Sequence, residues 1–275
     1  MSDFITINTV SDLYKPIPKY DESWDIIQSL NYFGDHVEKN VTGWFYPFDN
    51  IIFHEIMKNI QKDIPGDVCE LGVAFGKSAI AVSNYRKKTQ KFYMYDFFND
   101  DMRSQAEGNL NKYGTTENSE LRVEDLYKLT ADDIHFDNKL RFLHIDSSHE
   151  FKAVLKDMTN FSTKVSDDGV IVMDDYNDSE YPGVNGGCIL FLDRNPDWTM
   201  FAIGHNKAYL CKKEYHNFYV LELAKCIQTL IEKYKINFQM NYREMFDKNV
   251  LLCCSRESKP YNDIVRNVNK PTDYI

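Results

Sequence analysis

The run Asp67–Ile80, DVCELGVAFGKSAI, constrains this chain more than any other stretch. Val68–Leu71 reads as a buried strand, Gly72–Gly76 as a glycine-bearing turn, and the residues that follow as the first turn of a helix. Such a junction aims free backbone N–H groups and the positive end of a helix dipole at one spot. Gly72 and Gly76 allow positive φ or a close approach of backbone to ligand. Ser78, in the first helical turn, adds a hydroxyl that can hold a carboxylate. From Glu70 the spacing is E-x-G-x-x-x-G, not G-x-G-x-x-G, so a dinucleotide pyrophosphate cradle is a poor match.

Strand and helix patterns alternate on either side of this motif. Ahead of it, residues 1–46 are mixed and aromatic, Pro16 and Pro18 break any early helix, and Glu22–Leu30 allows a short one. Residues 42–48 (TGWFYPF) read either as a hydrophobic plug over the sheet or as a lid shielding a ligand, and Asp49–Ile60 has an amphipathic helical pattern. After the motif helix (about 76–88) come strands at 91–96, 121–125, 140–146 and 169–174, with helices over 101–113 and from His149 to about Met158. Thr199–Ile203 and Ala208–Lys212 flank a turn and predict a hairpin. The pattern predicts an α/β fold, a doubly wound, mostly parallel seven-stranded sheet with helices on both faces. Tyr219, Leu223, Ile227, Leu230 and Tyr234 mark one apolar helix face, and Val250–Cys254 is a short strand candidate. The expected organisation is a lid or cap over 1–49, a ligand-binding domain over 50–213, and an appendage over 214–275 for packing or for a homo-oligomer contact.

Ligands of such sheets sit beyond the carboxyl ends of the strands, where Gly72, Asp96, Asp125, Asp146 and Asp174 all fall on this reading. Asp96, at the end of the second strand, can accept both hydroxyl protons of a ribose; Asp125 is the candidate for an adenine amino group. Asp146 and Asp174 end neighbouring strands, and Asp175 follows directly. Three carboxylates in one crevice repel unless something positive sits among them, and a hard divalent cation such as Mg²⁺ resolves the conflict. His149, three residues past Asp146, is placed to take a proton from a substrate oxygen. His144, inside its strand, reads as a core residue.

Lys+Arg 32 against Asp+Glu 42 gives a net charge of −10, which disfavours nucleic acid and anionic membrane surfaces as partners. No apolar run is long enough to span a bilayer, and the start MSDFITINTV lacks the features of a signal peptide. Six cysteines without C-x-x-C spacing fit free thiols in a reducing compartment, so the expected location is cytoplasmic.

IPGDVCELGVAFGKSA, HIDSSHEF and VIVMDDY together resemble the class I S-adenosylmethionine (SAM) methyltransferases, and within them the metal-dependent, macrocin-type sugar O-methyltransferases, over roughly residues 42–212. The resemblance implies that the Glu70–Ser78 loop holds the methionine part of SAM. It implies that Asp146, Asp174 and Asp175 bind Mg²⁺ or another divalent cation, with His149 as general base. Catechol-type enzymes share the metal spacing but carry lysine at the base position and asparagine at the last ligand. The expected activity is methyl transfer to a hydroxyl of a sugar or glycosylated small molecule. The alternatives are a catechol, nitrogen or phosphoryl-linked acceptor, or a catalytically silent SAM-binding protein.

Overall fold

The apolar runs become strands whose two faces both need cover, and that requirement sets the architecture. The computed structural model describes residues 17–236 and 238–254. Pro16, the start MSDFITINTV and the polar tail after 254 lie outside the described residues. The strands are β1 (Asp67–Leu71), β2 (Phe92–Asp96), β3 (Ser119–Val123), β4 (Leu140–Ile145), β5 (Val165–Met173), β6 (Trp198–Ile203), β7 (Ala208–Lys212), β8 (Gln239–Met245) and β9 (Lys248–Cys254). They form one sheet in the order β3-β2-β1-β4-β5-β7-β6-β9-β8. β1 to β5 pair in parallel, whereas β7 runs antiparallel to both β5 and β6. Every residue of β1 and β4 is buried, as parallel strands covered on both faces must be.

The helices are α1 (Ile26–Tyr32), α2 (Pro47–His54), α3 (Lys77–Tyr85), α4 (Asp100–Tyr113), α5 (Phe151–Ser162), α6 (Pro182–Arg194) and α7 (His216–Tyr234). Residues of α1, α2, α3, α4 and α7 pack into one core on one side of the sheet, and those of α5 and α6 into a second core on the other. α1 starts where Asp25 and Gln28 form a reciprocal capping box, so it begins later than the sequence suggested. α2 continues into a π-helical turn over Glu55–Ile60, together spanning the amphipathic run read from sequence.

Among the described residues the sheet has nine strands, not the expected seven. α7 leads into the β8–β9 hairpin, and β9 lies parallel to β6 with Ala202 opposite Leu251. The segment after 213 is thus continuous with the main sheet, and only part of its strand content was readable. The hairpin turn is Phe246–Asp247, both at positive φ (51° and 58°), the geometry that usually calls for Asn-Gly. Among the described residues no helix is long and apolar enough to cross a membrane. Cys69, Cys188, Cys211 and Cys226 are free thiols.

Candidate active site

The carboxyl ends of β1, β2, β4 and β5 open into a cleft of about 710 Å³. Its floor is the motif loop. Gly72 (φ 83°), Ala74 (φ 46°) and Gly76 (φ 87°) carry the chain from β1 into α3 through left-handed backbone. A Cβ on Gly72 would stand 1.9 Å from the carbonyl oxygen of Asp146, so glycine is required where β1 and β4 end against each other. Gly76 caps α3 without any side-chain hydrogen bond, which leaves first-turn N–H groups for a ligand anion. Ser78 lines the cleft. Lys77, beside it, donates to the Gly43 carbonyl at 2.9 Å and pairs with Glu38 at 3.1 Å, tying the aromatic segment to the motif helix.

That segment is plug and rim at once. Phe45 and Phe48 are buried in the core, while Trp44 is 86% exposed and lines the cleft. Tyr46 stacks on His205 with ring centroids 4.5 Å apart.

Asp96 braces the loop. Its Oδ2 accepts from the N–H groups of Val73 (2.7 Å) and Ala74 (2.8 Å). Asp96 and Gly72 also border a second cavity of about 130 Å³, lined by Phe97, Asp125, Leu126 and Tyr127. Asp125 has its carboxylate shared by the Tyr127 N–H (3.1 Å) and Lys128 (3.0 Å). Phe97, 75% exposed, and Tyr127 are aromatic surfaces of this cavity that the sequence reading missed. A serine and a buried acid hold the cavity wall. Ser147 Oγ donates to Asp157 at 2.6 Å, and burial raises the Asp157 carboxyl to about 6. A raised folded value favours the protonated form, so this contribution to stability is complete below the unfolded value near 3.9 and is lost as pH rises through about 6. The loss should be roughly 2–3 kcal/mol over that window, and Asp157→Asn should flatten it in melting curves recorded from pH 4 to 7.

Of the residues expected around a metal, the structure gathers Asp146, Asp175 and His149, whose candidate ligand atoms lie within 4.8 Å of one another. His149 Nε2 stands 2.9 Å from Asp175 Oδ2 and 3.9 Å from Asp146 Oδ1 without forming an aligned hydrogen bond. Its ring stacks on Tyr181 at 3.9 Å, which fixes the plane of the imidazole. The Asp146 and Asp175 carboxylates push His149 up to about 10. Burial, and then the Asp174 charge, raise Asp146 to about 7. Asp175 sits at φ 53°, a left-handed turn that separates its carboxylate from that of Asp174. Two acids and one imidazole around a small gap suit a divalent cation, and the unsatisfied Nε2 points to the same place.

Two expected residues have buried partners of their own. Asp174 is buried against Lys207, which donates to its Oδ1, while His144 Nε2 lies 3.2 Å from its Oδ2. Burial acts to raise Asp174, but Lys207 and His144 outweigh it and hold the carboxyl well below the usual range. The three expected carboxylates all border the cleft, with Asp174 engaged by Lys207 while Asp146 and Asp175 face His149. Glu70, expected to bind the cofactor, is turned away from both cavities. It is fully buried and pairs with His144 Nδ1 at 2.7 Å. Lys207 and Asp49, 3.8 Å apart, were missed. The available signal was a lysine abutting the apolar run AYLC, since a charge entering a core needs a buried partner.

Residues 69–176 match the model of a methyltransferase domain family, Methyltransf_24. No curated protein sequence matches the chain. Among solved structures, the O-methyltransferase TomG from Streptomyces achromogenes, involved in tomaymycin synthesis and solved with SAM, is similar at 14% identity and TM-score 0.50, covering 67% of this chain and 89% of its own. The O-methyltransferase from Bacillus cereus in complex with SAH is similar at 15% identity and TM-score 0.50, over 74% of this chain and 95% of its own. Cofactor-bound Rv0187 from MTB gives 14% identity and TM-score 0.52, over 68% and 89%. Residues 69–176 thus match a methyltransferase domain, and the chain has the fold of the class I SAM-dependent methyltransferases.

Proposed function

We propose that this chain transfers a methyl group from SAM to a hydroxyl of a small molecule, with help from a divalent cation, and that the acceptor is a sugar or glycosylated compound. One observation carries the reading. A single cleft joins the glycine loop and Asp96 to the group formed by Asp146, His149 and Asp175. SAM and SAH in the structures of similar fold agree with a SAM donor. The loop and the open start of α3 suit the methionine carboxylate, Asp96 the ribose, and the cavity of Phe97, Asp125 and Tyr127 the adenine. Asp146 and Asp175 would hold the cation, Mg²⁺ being one that works with one or two carboxylates plus water and substrate oxygens.

When bound, the cation would make a neighbouring hydroxyl more acidic, and SAM would supply an electrophilic methyl group. With a cation offsetting the Asp146 and Asp175 charges that otherwise keep its ring protonated, His149, held in plane by Tyr181, would be free to take the hydroxyl proton. The loop would hold the donor and the two acids the acceptor side of the cleft, which would supply orientation. Trp44 and Tyr46 border the same cleft and help exclude water.

Incubation with SAM, Mg²⁺ and a panel of sugars, glycosides, catechols and amines, read by mass spectrometry, tests the reading. Methylation confined to amines would replace hydroxyl with nitrogen as the acceptor atom. Chelation should stop the reaction and Mg²⁺ should restore it; full turnover in chelator would remove the cation from this account.

A further inference from the structure

The turn that joins β6 to β7 treats the two consecutive aspartates differently. Asn206 Nδ2 donates to Asp175 Oδ1 at 3.0 Å, while the next residue, Lys207, is 1% exposed and donates to Asp174. Asp174 has little left to offer a metal. Its Oδ1 accepts from Lys207 and from the Asp175 N–H (2.8 Å), and its Oδ2 faces His144 Nε2 at 3.2 Å. The arrangement continues on both sides. Glu70 holds His144 from β1, and Asp49 of α2 lies 3.8 Å from Lys207. Glu70, His144, Asp174, Lys207 and Asp49 thus form a buried row in which acids alternate with basic side chains.

A divalent cation needs a carboxylate oxygen with an unused lone pair at about 2.0–2.6 Å, and it is repelled by a neighbouring ammonium. Among the described residues Asp146 and Asp175 have no ammonium paired to them, whereas Asp174 is held by Lys207 and backed by His144. We infer that Lys207 is a built-in cation that withholds Asp174 from coordination, so that of the three clustered aspartates only Asp146 and Asp175 take the metal. This rests on the cation-assisted reading above. It makes Lys207 a positioning residue for the site, acting through Asp174 and never touching the substrate.

Mn²⁺ binding followed by electron paramagnetic resonance of the free ion tests this without turnover. Asp174→Asn should bind Mn²⁺ within about threefold of the unaltered protein, whereas Asp146→Asn and Asp175→Asn should each weaken binding by about tenfold or more, as expected when ligand charge is lost. Lys207→Met should tighten binding by about tenfold by releasing a third carboxylate. A loss in Asp174→Asn equal to that in Asp146→Asn overturns the inference, as does a folded Lys207→Met whose affinity is unchanged or weaker. Should Lys207→Met fail to fold by circular dichroism, the three aspartate variants decide alone. If the unaltered protein binds no Mn²⁺, the cation-assisted reading itself falls, a result distinct from binding with the wrong ligand set.

Discussion

His149→Ala should lower turnover by a factor of about 10²–10⁴, the range for loss of a positioned general base, while SAM affinity stays near that of the unaltered protein. His149 projects between Asp146 and Asp175, with its ring stacked on Tyr181. The loop from Gly72 to Gly76 and the Asp96 brace do not depend on it. The two measurements should therefore separate cleanly. Calorimetry with SAM reports the loop, and product formation with whichever acceptor the panel yields reports the base. Equal turnover in the variant removes His149 as base. A parallel loss of SAM binding would instead make it a scaffold residue. Tyr181→Leu serves as a milder companion, since it removes the stacking partner and leaves the imidazole present.

Gly72→Ala should be the most damaging single methyl group in the fold. The added Cβ would meet the Asp146 carbonyl oxygen at 1.9 Å and its carbon at 2.4 Å, and both are backbone atoms. Neither side can give way as a flexible side chain would. Overpacking costs about 1–3 kcal/mol in ordinary cores, and an L residue at φ 83° adds roughly 1–2 kcal/mol more. At about 2–4 °C per kcal/mol for a chain of this size, the melting temperature should fall by roughly 4–20 °C. SAM binding should be lost with it, because Gly72 borders both cavities. Gly76→Ala is the matched control. Its Cβ would find nothing nearer than 3.6 Å, so only the cost of positive φ applies, roughly 1–2 kcal/mol. Comparable melting of the two variants would contradict the close approach of β1 and β4.

What could be read from the residues was whatever repeats with a period or punctuates it. The apolar runs of β1, β4 and β5, the glycine spacing, and acids at strand ends all belong to that class. They put Gly72, Asp96, Asp125, Asp146 and Asp174 at the carboxyl ends of the strands, and these residues line the two cavities there. The direction in which a side chain leaves a turn belongs to another class. Asp174 and Asp175 are adjacent in sequence and look equivalent there. A left-handed residue and a distant lysine turn one toward Lys207 and the other toward His149. Glu70 misled for a related reason, because position within a motif does not say which sheet face or neighbour a strand residue meets. Its partner, His144, was assigned to the core correctly but without its two acids. Gln239–Met245 escaped notice because its side chains are mostly polar and its turn lacks the usual glycine.

The last hairpin also has a protective effect on the sheet. β6 is buried along most of its length and would become the outermost strand if residues 239–254 were removed, since β9 covers the side that β7 does not. The bare amide and carbonyl row of Phe201, Ala202 and Ile203 would then offer a template to any other extended chain. The final two strands therefore shield a sticky rim, and shortening the protein on the assumption that its end is dispensable would trade solubility for self-association.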